Sequence, residues 1–188
     1  MLRIAIIIGS TRPGRNGEAV GKWAYDIARK RDDAEFEFVD IADFNLPLFD
    51  EPIPPIFGQY SHDHTRTWSR KIASFDGYVF VTPEYNHGTC AALKNAIDFL
   101  YQEWTNKAAG FIAYGSTMGA RAIENLRLVM AELQVATVRA QVGLSLFTDF
   151  ENFSVFKPDE MQKKYVNDML DQVIAWSGAL LPLRNQRG

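Results

Sequence analysis

A doubly wound α/β protein, with five parallel strands in the order 2-1-3-4-5 and helices on both faces, is the fold this 188-residue sequence predicts. Three observations lead there. Residues 2–8 (LRIAIII) form a near-continuous apolar, β-branched run, as expected of a strand buried on both faces of a parallel sheet. Short runs of this kind alternate with helical periodicity in the order βαβαβαβαβα. The three loops with ligand-binding composition follow strands one, three and four, all at one end of such a sheet.

The elements follow in turn. Val20, Trp23, Ala24, Ile27 and Ala28 fall at helical spacing after the first loop. Residues 36–41 (FEFVDI) alternate as a second strand. Residues 42–60 hold Pro47, Pro52, Pro54, Pro55 and Gly58 and read as a long loop, where function often concentrates. Trp68, Ile72 and Phe75 carry a helix around residues 61–75, and residues 77–82 (GYVFVT) a third strand. Leu93, Ala96, Ile97, Leu100 and Trp104 stripe a helix that runs on to residue 104. Residues 109–114 make the fourth strand, and Ala122, Leu126, Val129, Met130 and Leu133 the next helix. Residues 136–142 make a weaker fifth strand, and Val166, Met169, Leu170, Val173 and Ile174 a last helix. The alternation suits a flavodoxin-like sheet spanning residues 1–188 as one domain, with ligands bound beyond the strand carboxyl ends where strands one and three part.

Composition narrows the function classes. At 47% hydrophobic and 23% charged residues, disorder and coiled coil are excluded. Lys and Arg number 20 against 23 Asp and Glu, so no basic excess points to nucleic acid. Cys90 is the one cysteine, which excludes an intrachain disulfide and a cysteine-based structural zinc site. The apolar run 4–8 is too short for a signal-peptide core, and no stretch approaches the roughly 18 apolar residues of a membrane span. A cytoplasmic protein without membrane contact is expected.

The first loop, Gly9-Ser10-Thr11-Arg12-Pro13-Gly14-Arg15-Asn16-Gly17, joins a buried strand to a helix. Its glycines let backbone N–H groups approach an anion, and the helix start adds positive potential. Ser10 offers a hydroxyl, Arg12 and Arg15 fixed charge. A phosphate monoester fits; a Walker A loop does not, because Arg15-Asn16 replaces Lys-Ser/Thr. The second loop, 82–89, carries Pro83, Glu84, Tyr85 and Asn86, an aromatic ring and an amide suited to a planar ligand. A plain turn ahead of a helix explains it equally well. The third loop, 114–119, sets Gly115, Ser116 and Thr117 where backbone can approach a ligand closely; taken alone it reads first as an ordinary strand-to-helix turn, and its place beside the other two loops raises the ligand reading.

These residues resemble the NADPH-dependent FMN reductase family, which includes quinone, azo-dye and chromate reductases. Pro83-Glu84-Tyr85-Asn86, followed by Leu93-Lys94-Asn95-Ala96-Ile97-Asp98, carries the resemblance, and Gly9-Ser10-x-Arg12 adds to it. The resemblance implies FMN with its phosphate held by Ser10, Arg12 and the Asn16–Gly17 region. It implies isoalloxazine contacts from Pro83, Glu84, Tyr85 and Asn86, and contacts to the pyrimidine end from Gly115, Ser116 and Thr117. NADPH or NADH would reduce the flavin and a small-molecule acceptor reoxidise it, by a ping-pong mechanism. No protein nucleophile and no metal are expected. A homodimer or dimer of dimers is implied, with Lys94, Asn95 and Asp98 near the interface. Arg15 and Ser116 stand where many members carry Ser and Gly, and Cys90 where many carry Pro.

The remaining polar residues have plainer readings. Cys90 lacks the arginine of a Cys-x5-Arg phosphatase and reads as a small buried residue, although a helix N-terminus nearby would lower its pKa. His62 and His64 are two apart and, on a helix, would not share a face. His87, within the second loop, reads either as a surface turn histidine or as a substrate contact. Phe44, Phe49, Phe57 and Tyr60 either cover a partner's site or tuck onto their own core. Two other functions fit the residues: an electron carrier without direct NAD(P)H oxidation, and a flavin-free phosphate-binding protein.

Overall fold

β1 (Arg3–Ile8) lies between β2 (Glu35–Asp40) and β3 (Gly77–Pro83) in a parallel sheet whose order is β2-β1-β3-β4-β5, completed by β4 (Ala108–Gly115) and β5 (Ala136–Thr137). The computed structural model describes residues 1–185. In-register pairs Ile8–Asp40, Ile8–Val81 and Pro83–Tyr114 bring the strand ends together at one edge.

Alternation along each strand splits the core into two layers. Ala5, Ile7, Tyr78, Phe80 and Phe111 face one side, under α2 (Asp63–Ala73), α3 (Ala91–Asp98) and α4 (Ala120–Glu132). Ile4, Ile6, Ile8, Val79, Val81 and Ile112 face the other, under α1 (Gly17–Ala28) and α5 (Met161–Asn185). Each fully buried Leu, Ile or Val contributes about 1.5–3 kcal/mol. The sheet is thus apolar on both faces, and polar chemistry is confined to its ends. Among the described residues, no helix is long and apolar enough to cross a membrane.

Three expected elements differ. The helix striped by Leu93 through Trp104 ends at Asp98. Phe99, Leu100 and Trp104 remain buried because the turns that follow drop back into the same layer, so the periodicity outlasts the helix. The Trp104 indole N–H donates to the Ile97 carbonyl at 3.1 Å, satisfying one of the groups the helix end leaves open. The fifth strand is broken: after β5 the chain rejoins β4 as β6 (Val142–Ser145). Between them the Arg127 guanidinium takes the Val138 carbonyl at 2.8 Å, and the Ala140 N–H donates to the Gln172 side chain at 3.0 Å. Helix side chains there take groups a ladder would pair, while the Val138 N–H keeps its bond to the Ala109 carbonyl of β4 at 2.9 Å. Ile41 leaves the second strand and opens a 3₁₀ turn (Ile41–Phe44), the first of two in the long loop.

A hairpin absent from the sequence reading, β7 (Phe150–Glu151) and β8 (Val155–Phe156), precedes α5. Strands of two residues carry no readable alternation. Its turn holds Asn152 and Phe153 at φ 50° and 58°, the left-handed pair of a tight hairpin turn.

At the amino end of the sheet Lys107 is buried, and its ammonium donates to the Ile72 and Ala73 carbonyls at 3.1 and 3.3 Å and to the Tyr78 hydroxyl at 2.9 Å. Burial, with nearby Arg184, pushes the Lys107 pKa down to about 7. Arg184 pairs with Asp76, which also accepts the Arg3 N–H at 2.8 Å.

Candidate functional site

The first loop leaves β1 with the Gly9 N–H on the Val81 carbonyl at 2.9 Å. A Cβ at Gly9 would stand 2.8 Å from the Leu93 side chain, so only glycine fits there. Pro13-Gly14 then turns the chain: Gly14 has φ 68°, and the Arg15 N–H donates to the Arg12 carbonyl at 3.1 Å. That is a type II turn, with proline and glycine at their preferred positions.

The side chains of this loop divide. Arg12 is exposed and makes no ion pair among the described residues. Arg15 reaches sideways instead, to the Ser10 carbonyl at 2.6 Å and into an ion pair with Asp40. Burial pushes the Asp40 carboxyl up, against the opposing pull of the Ala42 N–H and of Arg15. The Asn16 side-chain amide donates to the Phe153 carbonyl at 2.8 Å, tying the loop to the hairpin. Ser10 is 2% exposed, and the N–H groups of Ser10, Thr11 and Asn16 meet no acceptor among the described residues. Open donors at a helix start beside an uncommitted guanidinium fit a phosphate monoester.

The second loop is a two-residue turn. Tyr85 and Gly88 exchange backbone hydrogen bonds at 2.9 and 3.0 Å, with Asn86 at φ 48° and His87 at φ 74°. It is both a tight turn and a display of side chains: Tyr85 is 38% exposed and Asn86 is exposed. Glu84 behaves otherwise. Its N–H donates to the Tyr114 carbonyl at 2.9 Å, and its carboxylate accepts from Thr117 at 3.1 Å, from the Arg121 N–H at 3.2 Å and from the Arg121 guanidinium. Burial opposes ionisation of Glu84, but Arg121 and Thr117 outweigh it and hold its pKa below the ordinary value. Glu84 thus braces the second loop against the third. Gly115 permits that approach, since a Cβ there would stand 3.1 Å from the Glu84 Cβ. Ser116 stays exposed, as does Thr117 apart from its bond to Glu84.

Beneath the loops lie groups that the sequence reading placed differently or missed. Cys90 is 3% exposed and donates to the Gly9 carbonyl at 3.2 Å. Burial raises its pKa despite the helix start it occupies, in keeping with the small buried residue read from the sequence. Tyr114 is buried, with the Gly17 N–H at its hydroxyl, and burial pushes its pKa up. His62 and His64 do share a face: their rings stack at 5.1 Å, and His64 meets Asp50 at 3.0 Å. The helical argument fails because His62 is extended, one residue before α2 begins. Among the described residues no cluster of three metal-ligating side chains forms. Phe44 and Tyr60 pack on their own core, while Phe57 is 63% exposed. Arg121 and Asp40 went unnoticed in the sequence because their partners lie 37 and 25 residues away.

A cavity of about 340 Å³ opens beside the first loop, lined by Thr11, Ile41, Ala42, Asn45, Leu46, Ala92, Asn95 and Ala96. It shares only Thr11 with the three loops and so flanks them. The Asn95 side chain fixes its wall, accepting the Phe49 N–H at 2.9 Å and donating to the Pro47 carbonyl at 2.7 Å.

Fold and loops together define a flavodoxin-like protein with a glycine-containing loop of open N–H groups at the switch point of its sheet. Residues 2–149 match the NADPH-dependent FMN reductase family, and the chain belongs to that family of enzymes. It is 42% identical over 159 residues to the NAD(P)H-dependent FMN reductase ntnL of Nectria sp, covering 79% of each chain. It is 27% identical over 190 residues to a 2-hydroxy-1,4-benzoquinone reductase of Burkholderia sp, covering 93% of this chain and 96% of that one. Among solved structures it is similar to FerB, a flavoenzyme NAD(P)H:(acceptor) oxidoreductase of Paracoccus denitrificans. That match has a TM-score of 0.72 at 19% identity and covers 95% and 98% of the two chains.

Proposed function

We propose that this chain is an FMN-dependent NAD(P)H oxidoreductase in which hydride donor and acceptor use one site in turn. The observation that carries the reading is the set of open N–H groups of Ser10, Thr11 and Asn16 beside Arg12. Bound FMN would supply the hydride relay, taking hydride from NAD(P)H and passing it to the acceptor.

The residues divide the work of binding. Arg12 and the open N–H groups hold the phosphate, and the start of α1 adds its positive potential. Tyr85 and Asn86 offer a ring and an amide to a planar group, and Pro83, buried at the end of β3, sets where the turn that carries them begins. Gly115, Ser116 and Thr117 bring backbone and hydroxyls to its polar end, positioned by the Glu84 brace. None of these residues acts as a nucleophile. Quinone-like, azo, flavin and metal-oxyanion acceptors belong to this reading, and the quinone reductase among the relatives favours the first. A homodimer or dimer of dimers belongs to it as well. Leu48, Ile56 and Phe57 expose apolar surface on the long loop, which a second copy would cover.

An anaerobic FMN titration followed by NADPH, recording flavin absorbance, tests the reading. Stoichiometric binding and bleaching within seconds are expected; FMN that binds and stays oxidised would favour an electron carrier.

A further inference from the structure

We propose that Arg15 is a positioning residue: its guanidinium latches the first loop to the end of β2 through Asp40, and Arg12 alone supplies the cation that meets the phosphate. The proposal rests on the FMN reading of this loop.

The geometry carries it from several sides. Ile8 and Asp40 are the last paired residues of β1 and β2, so Asp40 stands next to the point where the first loop departs. Its carboxylate takes two partners on different segments. One oxygen accepts the Ala42 N–H at 3.0 Å and starts the 3₁₀ turn; the other meets Arg15. Both side chains of the pair are largely buried, 13% exposed for Arg15 and 11% for Asp40. A guanidinium neutralised and covered in this way has little charge left for a ligand.

The second bond of Arg15 decides what the latch does. Its Nη1 holds the Ser10 carbonyl at 2.6 Å. In a planar trans peptide the N–H points opposite to the C=O, so turning this carbonyl toward Arg15 turns the Thr11 N–H the other way. The Thr11 N–H is one of the donors with no acceptor among the described residues. The latch therefore sets the direction of a phosphate donor without touching the phosphate. On the opposite flank Asn16 fixes the loop to the hairpin through Phe153 at 2.8 Å. The loop is anchored on both sides before any ligand arrives.

A latch and a direct ligand differ in what Asp40 does. If Arg15 touched the phosphate, neutralising Asp40 would free a cation and tighten FMN. If Arg15 is a latch, losing either partner loosens the loop. The test compares Arg15→Ala, Asp40→Asn and the double variant in the full chain. FMN and riboflavin affinities are read by flavin fluorescence, and backbone hydrogen exchange of residues 9–17 is followed in FMN-free protein. Each single change is expected to weaken FMN about tenfold, the scale of one charge-assisted hydrogen bond, with the double variant no weaker than the worse single. Exchange in residues 9–17 should quicken in all three.

Tighter or unchanged FMN binding in Asp40→Asn, alongside weaker binding in Arg15→Ala, would overturn the proposal and make Arg15 a ligand. Should wild-type protein bind no FMN, the functional reading falls, and exchange in the FMN-free chains decides the latch by itself. Faster exchange in both single variants upholds it; unchanged exchange in both sinks it.

Discussion

At the amino end of the sheet, Lys107, Asp76 and Arg184 direct their hydrogen bonds into the protein: three acceptors for the ammonium, and both the Arg3 N–H and Arg184 for the carboxylate. At the carboxyl end, Arg15, Asn16 and Glu84 also bond to the protein, yet the segments they fix keep open N–H groups and an uncommitted Arg12. The same chemistry serves two ends. Buried polar groups must be satisfied, and at the amino end satisfaction closes the sheet. At the carboxyl end, side-chain bonds carry the cost of ordering the loops, so the donors of those loops remain free for a ligand. A site differs from a well-made helix terminus by what it leaves unmade.

That contrast can be broken by substitution. The largest effect is expected from Lys107→Ala, which leaves a cavity under Tyr78 and takes the ammonium bond from the Ala73 carbonyl, and should cost about 3 kcal/mol of stability. Urea unfolding measures it, and FMN affinity should stay at the wild-type value; an equal loss of affinity would show that the two ends are coupled. Arg12→Ala should do the converse. Its exposed side chain makes no hydrogen bond or ion pair among the described residues, so FMN binding falls by about 1.5–3 kcal/mol while the unfolding midpoint is unchanged.

Glu84→Gln comes next, at about 1–2 kcal/mol of stability, because a neutral amide supports Arg121 and Thr117 less well. Its pH dependence separates the two ends. The Glu84 pKa is lowered on folding, so its contribution is present above the unfolded value of about 4.3 and is lost as pH falls through the folded one. Lys107 has its pKa lowered to about 7, so its neutral form favours the fold and stability rises as pH climbs from about 7 toward the unfolded value. Unfolding free energy across pH should therefore lose its acid limb in Glu84→Gln and its alkaline limb in Lys107→Ala. The smallest effect is expected at Cys90. Its buried thiol, with a raised pKa, should resist iodoacetamide at neutral pH in native protein, and Cys90→Ser should keep turnover with less than about 1 kcal/mol lost.

Much of the candidate site's local geometry was legible because it depends on neighbouring residues. Pro13-Gly14 specifies its own turn, Gly9 and Gly115 mark close approaches, and Tyr85-Asn86 sits where a strand must end. What could not be read was the direction of each polar side chain. Arg15, Asn16 and Glu84 all belong to segments that the sequence singled out, yet all three turn to protein partners between 25 and 137 residues away. The α3 stripe shows the same limit: Leu100 and Trp104 keep helical spacing and core burial after the helix itself has stopped.

The sequence by itself determined the alternation of strands and helices, the two-faced burial of the sheet and the end at which chemistry gathers. These follow from hydrophobic period and turn residues, which act over a few positions. Only the tertiary structure decided which charges are committed and which remain open. A hydrogen bond between distant residues depends on strand order and register, and neither Arg15 nor Asp40 carries a local sign of the other.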